Sequence, residues 1–231
     1  MSVSLIVPAY NEEKRIEPFL IQLSLFIQKA VHKYEVVLVD DGSTDATLSI
    51  LKTFKGDRHA ITIISYDQNR GKGFALREGI MNSKGDYIIS LDADNSFNLD
   101  DVNTLVDALK TSDVAIGNKY MKRQAKDTRF FIGSCFNLLV NTVFHLKVYD
   151  CFSGLKGYRK ACAQELFKQL HYERWLFDVE VLVKAKNRGY RISDTPVDVT
   201  KVKGSKFRLR DPIKLFFQIL KMKYVDRAEK W

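Results

Sequence analysis

Three short apolar runs in the first half of the chain each end abruptly in polar and acidic residues, and this pattern restricts the possible folds more than any other feature. Val3–Val7 runs into Pro8-Ala9-Tyr10-Asn11-Glu12, Tyr34–Val39 into Asp40-Asp41-Gly42-Ser43, and Asp86–Leu91 into Asp92-Ala93-Asp94. Apolar runs separated by helix-period segments are the signature of a parallel sheet with crossover helices. Between the first two runs, Ile16, Phe19, Leu20, Leu23, Phe26, Ile27 and Ala30 recur at three- and four-residue steps, giving one helix stripe to pack on the sheet. Ile61–Ser65 and Val114–Gly117 are further strand candidates. The expected class is therefore α/β: a Rossmann-like, mostly parallel central sheet flanked by helices. Ligands of such sheets bind beyond the carboxyl ends of the strands. Here those ends carry several acids, and like charges so close together are costly without a cation or hydrogen-bond donors between them.

Asp92 and Asp94 flank one small residue, so in an extended conformation both carboxylates point the same way. Together they can hold Mg²⁺ or Mn²⁺, hard cations that take oxygen ligands and bind substrate phosphates at the same time. Asp40 and Asp41 have two readings: a cap for the helix starting near Asp45, or acceptors for a nucleobase N–H or ribose hydroxyl. The loop Asn69-Arg70-Gly71-Lys72-Gly73 precedes a short helix and offers backbone N–H groups and two cations, Arg70 and Lys72, to a phosphate.

With 231 residues, 45% of them hydrophobic and 28% charged, the chain can bury a single core and is neither disordered nor polytopic. Cys135, Cys151 and Cys162 lack paired spacing and are expected to be reduced thiols. The four histidines are scattered without metal-like spacing. Val3–Val7 is already a strand stopped by Pro8, so no leader peptide is expected, which favours the cytoplasm. Most of the formal charge of +9 lies at one end: Lys201 to Trp231 carries ten Lys or Arg against three acids. Such an end marks nucleic acid, an anionic membrane surface or a phosphorylated substrate.

Uncharged from Phe130 to Leu146, the stretch Arg129–Asp150 is too short and polar for a membrane span and is expected to be a buried or interfacial helix. A helix over about Phe177–Arg188 and a strand over Tyr190–Asp194 should follow. From Pro212, the residues Ile213, Phe216, Phe217, Leu220 and Tyr224 fall on one helical face, opposite Lys214, Gln218 and Lys221. Residues 1–211 are therefore expected to form the catalytic domain, and 212–231 an amphipathic basic helix and tail that lies in a membrane interface.

The ordered set Val7-Pro8-Ala9-Tyr10-Asn11-Glu12, Val39-Asp40-Asp41-Gly42-Ser43-Thr44-Asp45, Asn69-Arg70-Gly71-Lys72-Gly73 and Leu91-Asp92-Ala93-Asp94 resembles the family 2 glycosyltransferases of the glycosyltransferase-A fold. Gly117-Asn118-Lys119-Tyr120, Asp150-Cys151-Phe152-Ser153-Gly154, Gly157-Tyr158-Arg159 and Trp175-Leu176-Phe177-Asp178-Val179-Glu180 look like its polyprenyl-phosphate sugar synthases, the dolichyl-phosphate mannose synthases and dolichyl-phosphate beta-glucosyltransferases. The resemblance runs from Val3 to about Ile219, and its Asp178 and Glu180 look more like the glucosyl branch. It implies Pro8, Tyr10, Glu12 and Asp40 around the nucleoside with Asp41 nearby. Asp92, Ala93 and Asp94, with Lys72, would serve the metal and diphosphate. Arg129 and Ser134 stand where the acceptor phosphate binds, with Lys119 where the family usually has Arg, a difference between a point charge and a bidentate fork. Lys203, Ser205 and Lys206 resemble a segment that closes over the donor diphosphate.

The implied reaction is an inverting transfer of a hexose from a UDP-glucose or GDP-mannose type donor to a polyprenyl (dolichyl or undecaprenyl) phosphate. It would occur on the cytoplasmic face of a membrane, with no nucleic acid involved. Asp94, Lys119, Arg129 and Asp178 are the candidate catalytic residues. A phosphate acceptor is mostly dianionic at neutral pH and needs no strong base. A sugar-hydroxyl acceptor, the alternative, would need one, and Asp178 is then the candidate; otherwise Asp178 is a helix N-terminal carboxylate. Trp175 and Phe177 stack on sugar or belong to the core. A nucleotidyltransferase would carry a Gly-rich loop where Tyr10-Asn11-Glu12 stands, and a non-catalytic basic adaptor would leave the four rim aspartates without purpose.

Overall fold

The computed structural model describes residues 1–54, 60–94, 97–121, 128–198 and 211–224. Its elements follow the expected alternation: β1 (Ser2–Ala9), α1 (Ile16–Lys29), β2 (Lys33–Asp40), α2 (Thr47–Thr53), β3 (Ala60–Ser65), α3 (Lys72–Met81), β4 (Tyr87–Ser90), α4 (Asp101–Ala108) and β5 (Val114–Asn118). Then come α5 (Thr128–Phe144), β6 (Lys156–Arg159), α6 (Lys160–Lys168), α7 (Phe177–Asn187), β7 (Ile192–Pro196) and α8 (Asp211–Tyr224). Among the described residues the strands form one seven-stranded sheet in the order β3-β2-β1-β4-β6-β5-β7. All pairs are parallel except those of β6, which runs against both β4 and β5.

The central strands β1 and β2 are buried along nearly their whole length because helices cover both faces of the sheet. Leu5, Val7, Val36 and Leu38 point to one face and pack with the α1 stripe (Ile16, Phe19, Leu20, Leu23, Ile27), Leu51 of α2 and Val102, Leu105 and Val106 of α4. Ile6, Val37 and Val39 alternate to the other, where α3, α5, α6 and α7 pack.

Four departures from the sequence expectations have physical causes. The short strand β6 carries Lys156 and Arg159 at its ends and one large apolar residue, Tyr158, so no alternation marked it. The last strand starts two residues later than expected, because Asn187 ends α7 and Gly189, at φ 73°, turns the chain before Ile192. The apolar stretch from Arg129 stops being helical at Phe144, where His145 and Lys147 both adopt positive φ. Helix α8 also turns differently: Leu215, Ile219 and Met222 are buried with Val140 and Phe144 of α5, while Phe216, Phe217 and Tyr224 stay exposed. Its apolar residues thus occupy two faces, and the buried one is not the stripe of Phe216, Phe217, Leu220 and Tyr224 expected from the sequence.

Candidate active site

The carboxyl ends of β1, β2 and β4 open into one cavity of about 440 Å³. Pro8, Tyr10 and Glu12 line it from β1, Asp41 from β2, Lys72 from the start of α3, and Asp92, Ala93 and Asp94 from the end of β4. Arg15, Asn69, Gly71, Arg174, Trp175 and Phe177 complete the wall. The rim loops are knitted together: Asn11, at φ 51°, donates its N–H to Ser43 Oγ, and Glu12 N–H donates to Thr47 Oγ1 at 2.8 Å. Glu12 is itself paired with Arg15, whose Nε lies 2.7 Å from Oε2. Asp45, rather than Asp40 or Asp41, serves the start of α2 by accepting the Thr47 N–H at 2.9 Å.

Asp40 is buried beneath the cavity and accepts a hydrogen bond from Ser65 Oγ at 3.2 Å and long ones from the Ser43 N–H. Asp41 reaches the cavity wall but organises the loop at 69–73. Its carboxylate accepts from Tyr66 Oη, Asn69 Nδ2 and the N–H groups of Arg70 and Gly71, all at 2.7–2.9 Å. The amides of Gly73 and Phe74 donate to the Glu173 carbonyl. Four amides of the cradle expected for phosphate are thus engaged by Asp41 and Glu173, and Asn69, Gly71 and Lys72 are what the loop brings to the cavity wall. Lys72 Nζ sits 2.5 Å from Asp92 Oδ1. Desolvation lowers the Lys72 pKa, but the charges of Asp92 and Asp178 outweigh it and hold the ammonium above its ordinary value.

Asp92 and Asp94 are the acidic pair of this wall, its other carboxylates, Glu12 and Asp41, being engaged by Arg15 and the loop at 69–71; among the described residues no group of three or more His, Cys, Asp or Glu is placed to hold a metal ion. That donor set fits Mg²⁺ or Mn²⁺, which take one or two protein carboxylates and draw their other ligands from water and substrate phosphate.

Asp178 lies in the first turn of α7, buried, with Lys156 Nζ 2.6 Å from Oδ1. The same ammonium donates to the Ser153 carbonyl at 2.6 Å. Asp178 is thus the partner of a buried cation. Beyond it, Lys119 lies 3.3 Å from buried Asp150, next to Tyr120, whose hydroxyl is hydrogen-bonded by Ser134 and Asn137. The structure therefore gathers Lys119 and Ser134 into one polar cluster, outside the wall of the cavity. The Arg129 side chain lies outside the described residues, as do Lys203, Ser205 and Lys206. Trp175 is half exposed on the cavity wall, whereas Phe177 lines the cavity but is buried in the core. Arg15 and Arg174 escaped the sequence reading; only their closeness to Glu12 and Trp175 hinted at them. Cys151 and Cys162 are buried, which pushes each thiol up to about 12 and makes it inert.

A sheet of this order, with acids at the rim of β4 and a nucleotide-sized cavity beside them, defines a glycosyltransferase of the glycosyltransferase-A fold. Residues 4–167 match the family described as Glycosyl transferase family 2, and the chain belongs to it. It is 35% identical to the dolichyl-phosphate beta-glucosyltransferase of Saccharomyces cerevisiae, over 96% of this chain and 75% of that protein. It is 32% identical to the Homo sapiens protein of the same name, over 88% of this chain and 69% of that one. Among solved structures it superposes on glucosyl-3-phosphoglycerate synthase from Mycobacterium tuberculosis, in complex with Mn²⁺, UDP and glucosyl-3-phosphoglycerate, with a TM-score of 0.72 at 18% identity. That match covers 96% of this chain and 79% of the other. The mannosyltransferase of Pyrobaculum calidifontis with GDP-Man and Mn²⁺ gives 0.62 at 23% identity, over 88% of this chain and 57% of that one.

Proposed function

We propose that this glycosyltransferase moves a hexose, with inversion, from a nucleotide sugar to a polyprenyl phosphate at a membrane surface. The observation that carries the reading is the joint placement of Asp92 and Asp94 on one cavity with Pro8, Tyr10 and Asp41. The names of the relatives favour glucose as the sugar and dolichyl phosphate as the acceptor. Asp92 and Asp94 would hold Mg²⁺ or Mn²⁺, which when bound neutralises the charge of a nucleoside diphosphate leaving group. Pro8 and Tyr10 would flank the nucleoside, with Glu12 fixed behind them by Arg15.

Lys119, with Ser134 and Arg129, would hold the acceptor phosphate, a dianion that attacks without an enzyme base. The Lys156 partnership of Asp178 supports this over the sugar-hydroxyl alternative, because the carboxylate oxygen nearest the ammonium is already engaged. Asp94 then acts on the donor, Lys119 and Arg129 on the acceptor, and Asp178 as a fixed charge between them.

No helix among the described residues is long and apolar enough to cross a membrane. The outer sides of α5 and α8, which pack on each other, instead present Phe131, Leu138, Phe217 and Tyr224 to solvent, with Lys147 and Lys221 also exposed. Exposed aromatics beside cations suit an anionic interface on the cytoplasmic face, where a long lipid keeps its phosphate; nucleic acid has no part in this reading.

Purified protein with Mn²⁺ and either UDP-glucose or GDP-mannose should release nucleoside diphosphate only when a polyprenyl phosphate is added. Asp92→Asn and Asp94→Asn should each abolish that release while leaving the fold intact. Lys119→Ala should raise the acceptor KM with donor binding unchanged. Acceptor-independent release of the same size would sink the proposed acceptor.

A further inference from the structure

We propose that Gly154 is a positioning residue for the Asp92 carboxylate. Resting on the metal site described under Proposed function, this inference adds a residue to it that has no polar group of its own. A Cβ built on Gly154 would lie 2.0 Å from Asp92 Oδ2 and 2.6 Å from its Cγ, with Phe97 Cε2 next at 3.1 Å. Lys72 stands on the other oxygen, 2.5 Å from Oδ1. The carboxylate is thus set between a cation and a bare backbone, an orientation it can keep only while position 154 carries no side chain.

Backbone conformation does not explain the glycine, because Gly154 is not among those with positive φ. The turn that carries it is also unable to retreat. Ser153 N–H donates to the Asp150 carbonyl at 3.3 Å, and the Ser153 carbonyl accepts from Lys156 Nζ at 2.6 Å. Leu155 N–H donates to Ser153 Oγ, and the Leu155 carbonyl accepts from the Gly117 N–H at 2.9 Å. Lys156 is anchored in turn by Asp178. Its place on the sheet explains why it can brace this turn: β6 is antiparallel, so its first residue falls beside the carboxyl ends of β4 and β5.

A methyl group at 154 therefore meets a rigid turn on one side and the end of a partly exposed, rotatable side chain on the other. The side chain yields: Asp92 leaves its present rotamer, and the carboxylate is lost from its position beside Lys72 on the cavity wall.

The test is Mn²⁺ binding to the intact protein in the presence of UDP, read by electron paramagnetic resonance of the free ion, with thermal melting alongside. Gly154→Ala should bind Mn²⁺ about 10- to 100-fold more weakly, the range for groups that orient metal ligands. Its melting temperature in an Asp92→Ala background should equal that of Asp92→Ala alone, since the clash partner is gone. Binding within twofold of wild type overturns the proposal. So does a loss of stability, or of folding, that is the same with and without the Asp92 side chain, because the glycine then serves packing. If the wild-type protein itself does not bind Mn²⁺, the metal reading falls together with this inference. Wild-type binding with an unaffected variant removes the inference alone.

Discussion

Asp150 is a carboxylate held away from water, 1% exposed, with neither oxygen in a well-formed hydrogen bond among the described residues and its nearest cation, Lys119, at 3.3 Å. Burial raises its pKa above the usual 3.8, although Lys119 and Lys156 both oppose the rise. A raised value means that the native state binds this proton more tightly than the unfolded chain does. The stabilisation from this group is therefore complete below the unfolded value and is lost as pH rises through the folded one. We expect the stability of wild type relative to Asp150→Asn to be greatest at acid pH and to decline toward neutrality, as measured by melting curves over that range. A difference that stays flat with pH would contradict the burial argument. The sequence showed Asp150 only as the first residue of a motif, since nothing in Tyr149-Asp150-Cys151 indicates which side chain faces inward. Asp41 illustrates the same limit: its type and strand-end position were legible, but the four donors that make it a loop organiser come from residues 66 to 71 folded back upon it.

At the scale of elements, α5 and α8 decide how the molecule meets a membrane. Removing α8 altogether would be a poor test, because Leu215, Ile219 and Met222 belong to the core and their loss would expose Val140 and Phe144. Replacing the outward residues avoids that. Phe217 and Tyr224 are 64% and 74% exposed, so Phe217→Ser with Tyr224→Ser should leave melting nearly unchanged. Burying one such aromatic is worth on the order of 1.5–3 kcal/mol, so losing both should cut partitioning to anionic liposomes by about a hundredfold or more. Equal flotation of the folded double variant would show that this face does not dock. The helix itself was legible from its period and from Asp211-Pro212 at its start, but the identity of its buried face was not. Both faces are apolar, and only the position of α5 determines which one turns inward.

On the scale of the whole molecule, β6 joins the half that ends in Asp92 to the half that carries Lys119, so ligand binding and global stability should be coupled. A ligand that binds only the folded state at about 100 times its Kd adds about 2.7 kcal/mol. For a chain of this size that is a rise in Tm of about 5 to 10 °C. We expect UDP with Mn²⁺ to produce such a rise in wild type and little in Asp92→Asn; an equal rise in both would remove Asp92 from the metal. The sequence by itself determined the parallel core, the acids at the strand ends and the family, because continuous apolar runs can only be buried on both faces and polar residues that follow them must fall on one rim. Which partner each acid in and around the site meets was decided by tertiary structure alone. Lys156 on Asp178, Lys119 on Asp150 and Gly154 against Asp92 join residues 22, 31 and 62 positions apart. Spacing along the chain carries no record of such contacts: the antiparallel insertion of β6 sets them, and its four residues, two of them charged, give no periodic signal of being a central strand.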